Sequence, residues 1–280
     1  MSVKCAIEEC IIIGGRASGS HILGKSRDRN YKPQLSVVRD IIDGLEVVYM
    51  HDEQTNYLEG MNEKGVGIVN AALLVSEDEK AADAYWKRAK KKKGSSKDGP
   101  RMFHALGQPT LSKCIKSLVS YQDGIKGHTF VGSPTSLYSI EMTSKHNPII
   151  NKLDPTTGFD VRTNHGEEHA GAGYTPERHP EDYLSSKVRK ATAQVNLVDL
   201  ENHEDLMPAL TQQPFEPDSN MNMLRRTDDM RTSSQIMLNL DDLEFILYMF
   251  PEEGTFNGVM DNTPDDYDPK INIRIVSYKD

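Results

Sequence analysis

The sequence predicts an α+β layered domain. Short β-branched and alternating runs fill both ends of the chain, two segments of helical apolar spacing lie in its middle, and 280 residues suffice for one large core. Hydrophobic residues make up 37% of the chain and charged residues 27%, a polar but globular composition.

The opening reads as a β-hairpin. Cys10 to Ile13 is a β-branched run, Gly14 to Ser20 carries turn chemistry, and His21 to Gly24 returns as the second strand. Strands are expected at Leu35 to Val38 and Leu45 to Met50. In the segment Glu59 to Leu73, the first half reads as a polar turn and the second as a buried strand. Glu77 to Lys92 has helical character and runs into Gly94 to Pro100, so a basic flexible loop is expected over 87–100. That basic run reads as a solvated insertion, with a docking site for an anionic partner as the alternative.

In Thr110 to Tyr121, Leu111, Cys114, Ile115, Leu118 and Val119 recur at helical spacing, which makes Cys114 a core residue. Strands follow at His128 to Val131, Leu137 to Thr143 and Gly158 to Thr163. The Gly-, Pro- and His-rich Gly166 to Pro180 is a loop, Tyr183 to Val195 a helix, and Leu206 to Met223 irregular. The end returns to strands at Ser234 to Leu240, Phe245 to Phe250 and Ile271 to Val276, with an acidic loop at Asp261 to Asp268.

Composition excludes several function classes. Thirty-three Lys and Arg against 42 Asp and Glu give a net charge of −9, unsuited to displacing counterions from phosphates, so no nucleic-acid partner is expected. Three cysteines (Cys5, Cys10, Cys114) form neither a disulfide framework nor a CxxC clip, which fits a reducing cytoplasm. The N-terminal apolar block is too short for an export signal, and no run approaches the roughly 20 apolar residues of a membrane span. Neither GxGxxG, GxxxxGK[ST], HExxH nor GxSxG is present, and His165, His169 and His179 fit no zinc spacing. No cofactor and no metal are expected.

The chemistry points to the hairpin. A thiol at the head of one strand (Cys10) and a carboxylate at the end of its partner (Asp28, beside Arg27) can lie together across the ladder. With four further segments this pattern resembles the N-terminal-nucleophile (Ntn) hydrolases of the choloylglycine hydrolase, penicillin V acylase and acyl-CoA:6-aminopenicillanate acyltransferase type. Glu59-Gly60-Met61-Asn62-Glu63-Lys64-Gly65-Val66-Gly67 is close to that family's DGMNEKGLG turn and is the most specific match. Asp160 to His165 resembles its "TN" segment, Ser185-Ser186-Lys187-Val188-Arg189 its "SSxxR" helix start, and Thr232 to Leu238 with Phe245 to Tyr248 its closing hairpin.

The resemblance implies a four-layer αββα sandwich of mostly antiparallel sheets, with residues 1–9 a candidate propeptide and 10–280 a single domain. It implies that Cys10 becomes the N-terminal nucleophile, its own α-amine serving as base near pH 8. Asp28 would anchor that ammonium. Asn164 and Asn70 would donate to the oxyanion, Arg189 would hold charge near the thiolate or carboxylate, and Arg27, adjacent to Asp28, is a further candidate site residue. The family's Arg three residues before the Asp is Lys25 here, and its second oxyanion Asn falls at Ala72, with Asn70 two residues earlier. The expected activity is hydrolysis of a linear amide through a thioester, with a small-molecule N-acyl amide as substrate and room for a homo-oligomer. The alternatives are an unprocessed Ntn-like scaffold or binding protein, and an acyltransferase with the same site.

Overall fold

The computed structural model describes residues 8–73, 98–119, 125–143, 146–154, 156 and 158–278. Their strands, in chain order, are β1 (Glu8–Ala17), β2 (Ser20–Arg29), β3 (Gln34–Ile42), β4 (Leu45–Asp52), β5 (Tyr57–Asn62), β6 (Gly67–Ala71), β7 (Gly127–Ser133), β8 (Ser136–Met142), β9 (Ile149–Lys152) and β10 (Asp160–Arg162). They continue with β11 (Arg231–Asn239), β12 (Glu244–Met249), β13 (Thr255–Asp261) and β14 (Asn272–Ser277). The helices are α1 (Asp98–Leu106), α2 (Leu111–Val119), α3 (Pro180–Leu197) and the single turn α4 (Leu206–Ala209).

Two sheets form. One has six strands in the order β10-β1-β2-β11-β12-β14, the other eight in the order β13-β3-β4-β5-β6-β7-β8-β9. All pairings are antiparallel except β12 with β14 and β3 with β13. Side chains alternate across each strand, so each sheet presents two apolar faces. Cys10, Ile12 and Leu23 pack with Val37, Val48, Met50, Val69 and Phe130 in the layer between the sheets. Ile11, Ile13 and Ile22 pack against Ala193 and Leu197 of α3 and Met207 of α4. On the far side, Val47, Ile68 and Val131 meet Met102 and Leu106 of α1 and Cys114 and Leu118 of α2. The layers therefore run helices, eight strands, six strands, helices. Burying one such aliphatic side chain is worth about 1.5–3 kcal/mol, and these three clusters are the main cohesive force of the described domain.

The glycine pair Gly14-Gly15 lies inside β1, opposite Leu23 and Ile22, so the expected seven-residue turn shrinks to Ser18-Gly19. Both turn residues have positive φ (53° and 85°), the geometry that matches strand twist in a two-residue hairpin. Helix α1 starts at Asp98, inside the segment expected as a basic loop. Its Pro100 sits in the first turn, where a missing N–H costs nothing. Residues 87–97 and the helix expected at Glu77 to Lys92 lie outside the described residues. The edge strands β9 and β13 escaped the sequence reading because they are largely exposed and carry no apolar alternation. Strand β13 also takes Asp261 out of the expected acidic loop. Among the described residues no helix is long and apolar enough to cross a membrane.

The segment Glu59 to Gly67 is a structural corner. Gly60 faces Tyr49 across the ladder, and a Cβ there would lie 2.1 Å from the Val48 carbonyl oxygen. Gly65 has φ 70°, and Asn62 Oδ1 accepts the N–H groups of Lys64 (3.0 Å) and Val66 (3.2 Å). Asn62 Nδ2 donates to the carbonyls of Leu106 and Gln108, tying the turn to the end of α1. The most specific motif in the sequence thus builds the scaffold at this corner.

Candidate active site

Hairpin register decides what meets what. Cys10 stands opposite Arg27, and Glu9 opposite Asp28. Because facing residues share a side of the sheet, Cys10, Lys25, Arg27 and Arg29 project between the sheets, while Glu9 and Asp28 project toward α3.

Between the sheets, Lys25 Nζ donates to Glu59 Oε1 at 2.6 Å, and Arg27 Nη2 to Asp52 Oδ2 at 3.1 Å. Arg29 behaves differently. Its Nη1 lies 2.7 Å from its neighbour's Asp28 carbonyl oxygen, 3.4 Å from the Glu9 carbonyl oxygen and 3.6 Å from Cys10 Sγ. Its nearest carboxylate, Glu8, is 3.8 Å away. Burial would drive off the Arg29 proton, but the negative charge of Glu8 and the neighbouring Cys10 and Tyr31 hold it well above the ordinary arginine value. One permanent cation thus touches both the thiol and the carbonyl of the peptide bond preceding it. A cavity of about 230 Å³ includes Arg29 with Tyr31, Asp229 and Arg231 in its lining. Another cavity, of about 370 Å³ near His146 and Arg178, has none of Cys10, Asp28, Arg29, Asn164 and Arg189 in its lining.

On the helix side, two carboxylates share two arginines. Glu9 Oε2 accepts from Arg189 Nη2 and Arg225 Nη1, both at 2.7 Å, and Glu9 Oε1 accepts from the Tyr174 hydroxyl at 3.0 Å. Asp28 Oδ2 accepts from Arg189 Nη1 at 3.0 Å, and its Oδ1 from the Thr232 hydroxyl at 2.8 Å. All four charged side chains are buried. Burial would raise the Glu9 carboxyl, but Arg225 and Arg189 outweigh it and hold it below the ordinary value. For Asp28 burial wins over the same arginines, and its carboxyl is raised.

Asn164 joins the two sides. Its Oδ1 accepts the Cys10 backbone N–H at 3.1 Å and lies 3.4 Å from Arg189 Nη2, while its Nδ2 donates to the Ala72 carbonyl at 2.9 Å. Ser186 Oγ on α3 accepts the Asn164 N–H at 3.0 Å and bonds His165 Nδ1 at 2.8 Å, which fixes the loop.

The structure therefore brings Cys10, Asn164, Arg189 and Asp28 into one connected cluster. Asp28 enters through Arg189 and faces away from the thiol. Asn70, expected at the oxyanion, donates its side-chain amide to Thr129 Oγ1 at 2.8 Å. Arg27 belongs to Asp52, and Lys25 to Glu59. The cation at the thiol is Arg29: strand alternation puts residues 25, 27 and 29 on one face, and Arg27, directly opposite Cys10, is taken by Asp52. The expected SSxxR helix start lies in the second turn of α3, which begins at Pro180. His165 is buried beside Ser186 and Glu167, His169 stacks on His146, and His179 packs against Tyr174. Sequence reading missed Glu9, Arg29 and Arg225. The available signal was the Glu9–Asp28 pairing itself, since two facing buried carboxylates require cations from elsewhere.

Comparison with solved structures places this architecture. A Caenorhabditis elegans ortholog of N-acylethanolamine-hydrolyzing acid amidase superposes with a TM-score of 0.58 at 13% identity, covering 82% of this chain and 93% of that one. The chain has the Ntn-hydrolase fold. Penicillin V acylase from Agrobacterium tumefaciens aligns over 94% of this chain and 99% of its own, at 9% identity and a TM-score of 0.43. No family model and no curated protein sequence matches the chain. At these identities the likeness speaks for the Ntn fold alone.

Proposed function

We propose that this chain is a cysteine amide hydrolase that matures by cutting its own Glu9–Cys10 bond. The observation that carries the reading is Arg29 Nη1, within 3.4 Å of the Glu9 carbonyl oxygen and 3.6 Å of Cys10 Sγ. A nucleophile, an adjacent carbonyl and a buried cation able to stabilise negative charge on either are the minimum parts for an acyl shift.

In maturation, Cys10 Sγ attacks the Glu9 carbonyl carbon, and Arg29 stabilises the oxygen as it gains charge. The C–N bond breaks with transfer of the thiol proton to the Cys10 nitrogen, and water hydrolyses the resulting thioester to release residues 1–9. The Cys10 nitrogen is then an amine, already oriented by Asn164 Oδ1. In turnover this amine takes the thiol proton and passes it to the leaving amine as a substrate C–N bond breaks and a C–S bond forms. Water, deprotonated by the same amine, attacks the thioester, and the departing sulfur regains the proton. The name of the superposed Caenorhabditis elegans protein, an acid amidase, fits amide bonds as the substrate class.

One observation favours a second reading. Glu9 is held by three partners inside β1, which would suit a full-length Ntn-like binding protein that is never cut. A panel of N-acyl amides assayed for amine release, with mass detection of a Cys10 thioester, separates the two. The hydrolase reading expects an adduct on Cys10 that water or hydroxylamine removes. A processed protein that neither releases amine nor forms the adduct refutes it.

A further inference from the structure

We propose that Arg189 and Arg225 form a receptor for a carboxylate on the substrate's acyl group, so that the mature enzyme takes N-acyl amides of the glutaryl type. The inference rests on the amide-hydrolase reading. Glu9 is the acyl half of the first bond Cys10 cuts, so its carbonyl marks where a later substrate's carbonyl must sit to meet the same thiol and Arg29. The Glu9 side chain then marks the path of the acyl chain. It ends in a built site: Arg189 Nη2 and Arg225 Nη1, each 2.7 Å from one carboxylate oxygen, and the Tyr174 hydroxyl 3.0 Å from the other. Both arginines are fully buried and positioned by other contacts. Arg189 Nη1 donates to Asp28, and Arg225 Nη2 donates to Asn220 Oδ1 at 3.2 Å.

Charge balance argues the same way. Before cleavage, two arginines face two carboxylates, Glu9 and Asp28. Asp182, half-buried at the start of α3, senses Glu9 and Arg225 electrostatically but bonds neither. Release of residues 1–9 removes one carboxylate and creates an amine at Cys10. Two buried guanidiniums are then left to share Asp28, and an underpaired buried charge is costly enough to demand a replacement anion. Between the Glu9 carbonyl carbon and its side-chain carboxyl carbon lie Cα, Cβ and Cγ. A glutaryl group has that spacing, and so does a γ-glutamyl group, with an added amine.

Two experiments test this. In a full-length Cys10→Ala/Glu9→Ala chain, acetate replaces the deleted carboxylate and raises Tm by a few degrees, whereas acetamide does not. Equal response to both, or to neither, overturns the receptor. Secondly, wild type that has processed itself, verified by intact mass, is assayed on glutaryl and pentanoyl anilides, which differ only in the terminal carboxylate. The glutaryl anilide is expected to have the higher kcat/KM by about 100-fold, and Arg225→Gln to bring the ratio toward one. The ratio is internal to each preparation, so loss of folded enzyme cancels. Equal or better cleavage of the pentanoyl anilide overturns this proposal and leaves the hydrolase reading standing. Acetate rescue without cleavage of any amide instead refutes the hydrolase reading.

Discussion

The two faces of the β1–β2 hairpin solve the same problem in different ways. Between the sheets, Lys25 and Arg27 each bring one cation to one carboxylate from the opposite sheet, and these pairs close on themselves. On the helix side nothing is paired one to one: Glu9, Asp28, Arg189 and Arg225 form a shared cluster that also reaches Asn164. The difference teaches where change is tolerated. A closed pair is a structural fixture, whereas a shared cluster can lose one member and still hold the others near their positions. Arg29 is the exception on the first face, with its Nη1 on backbone carbonyls and the thiol.

The largest expected effect comes from breaking the shared cluster. In the full-length Cys10→Ala chain, Arg189→Leu leaves buried Asp28 with the Thr232 hydroxyl and an Arg225 3.8 Å away, and should lower unfolding free energy by about 3–5 kcal/mol, read as a fall in the urea midpoint. A loss near zero would mean that Arg225 alone satisfies both carboxylates.

Removing the exceptional cation is the next test. Arg29→Met should slow release of residues 1–9 by roughly 10²–10³-fold, the usual cost of deleting one charge-stabilising donor. Processing at the wild-type rate would return Arg29 to a purely structural role.

A smaller effect distinguishes Glu9 by pH. Its carboxyl is depressed in the folded state, so its stabilising contribution is complete above the ordinary glutamate value of 4.5 and is lost as pH falls below it toward the folded value. In a Cys10→Ala chain that keeps residue 9, the stability gap between Glu9 and Glu9→Gln should narrow from pH 6 to pH 3. The raised Asp28 carboxyl changes stability in the opposite sense, and because the Glu9 charge contributes to that rise, it offsets part of the narrowing. A gap that stays constant would contradict the arginine-held carboxylate.

Much of this arrangement was legible in residues alone. The layered fold followed from alternating strands such as Leu137 to Thr143 and from the helical spacing of Leu111, Cys114 and Leu118. The hairpin placed Cys10 beside the Arg27–Asp28 end of its partner, and the Asp160 to His165 segment brought Asn164 to the Cys10 nitrogen. What could not be read was which face each charge takes. Arg27 and Arg29 differ by a single pleat repeat, and only the register and the carboxylates of the opposite sheet decide that Asp52 claims Arg27 and leaves Arg29 at the thiol. Arg225 comes from an irregular segment with no periodicity to report its aim. Asn70 looked equivalent to the family's asparagine at the Ala72 position, but its amide is committed to Thr129.

The central claim is that Cys10 cuts the bond before it, and intact mass with N-terminal sequencing of the purified chain tests it most directly. The account predicts that wild type begins at Cys10 while Cys10→Ala retains residues 1–9 under the same conditions. A folded wild type that keeps Glu9 attached, or a Cys10→Ala chain cut at the same bond, would contradict it.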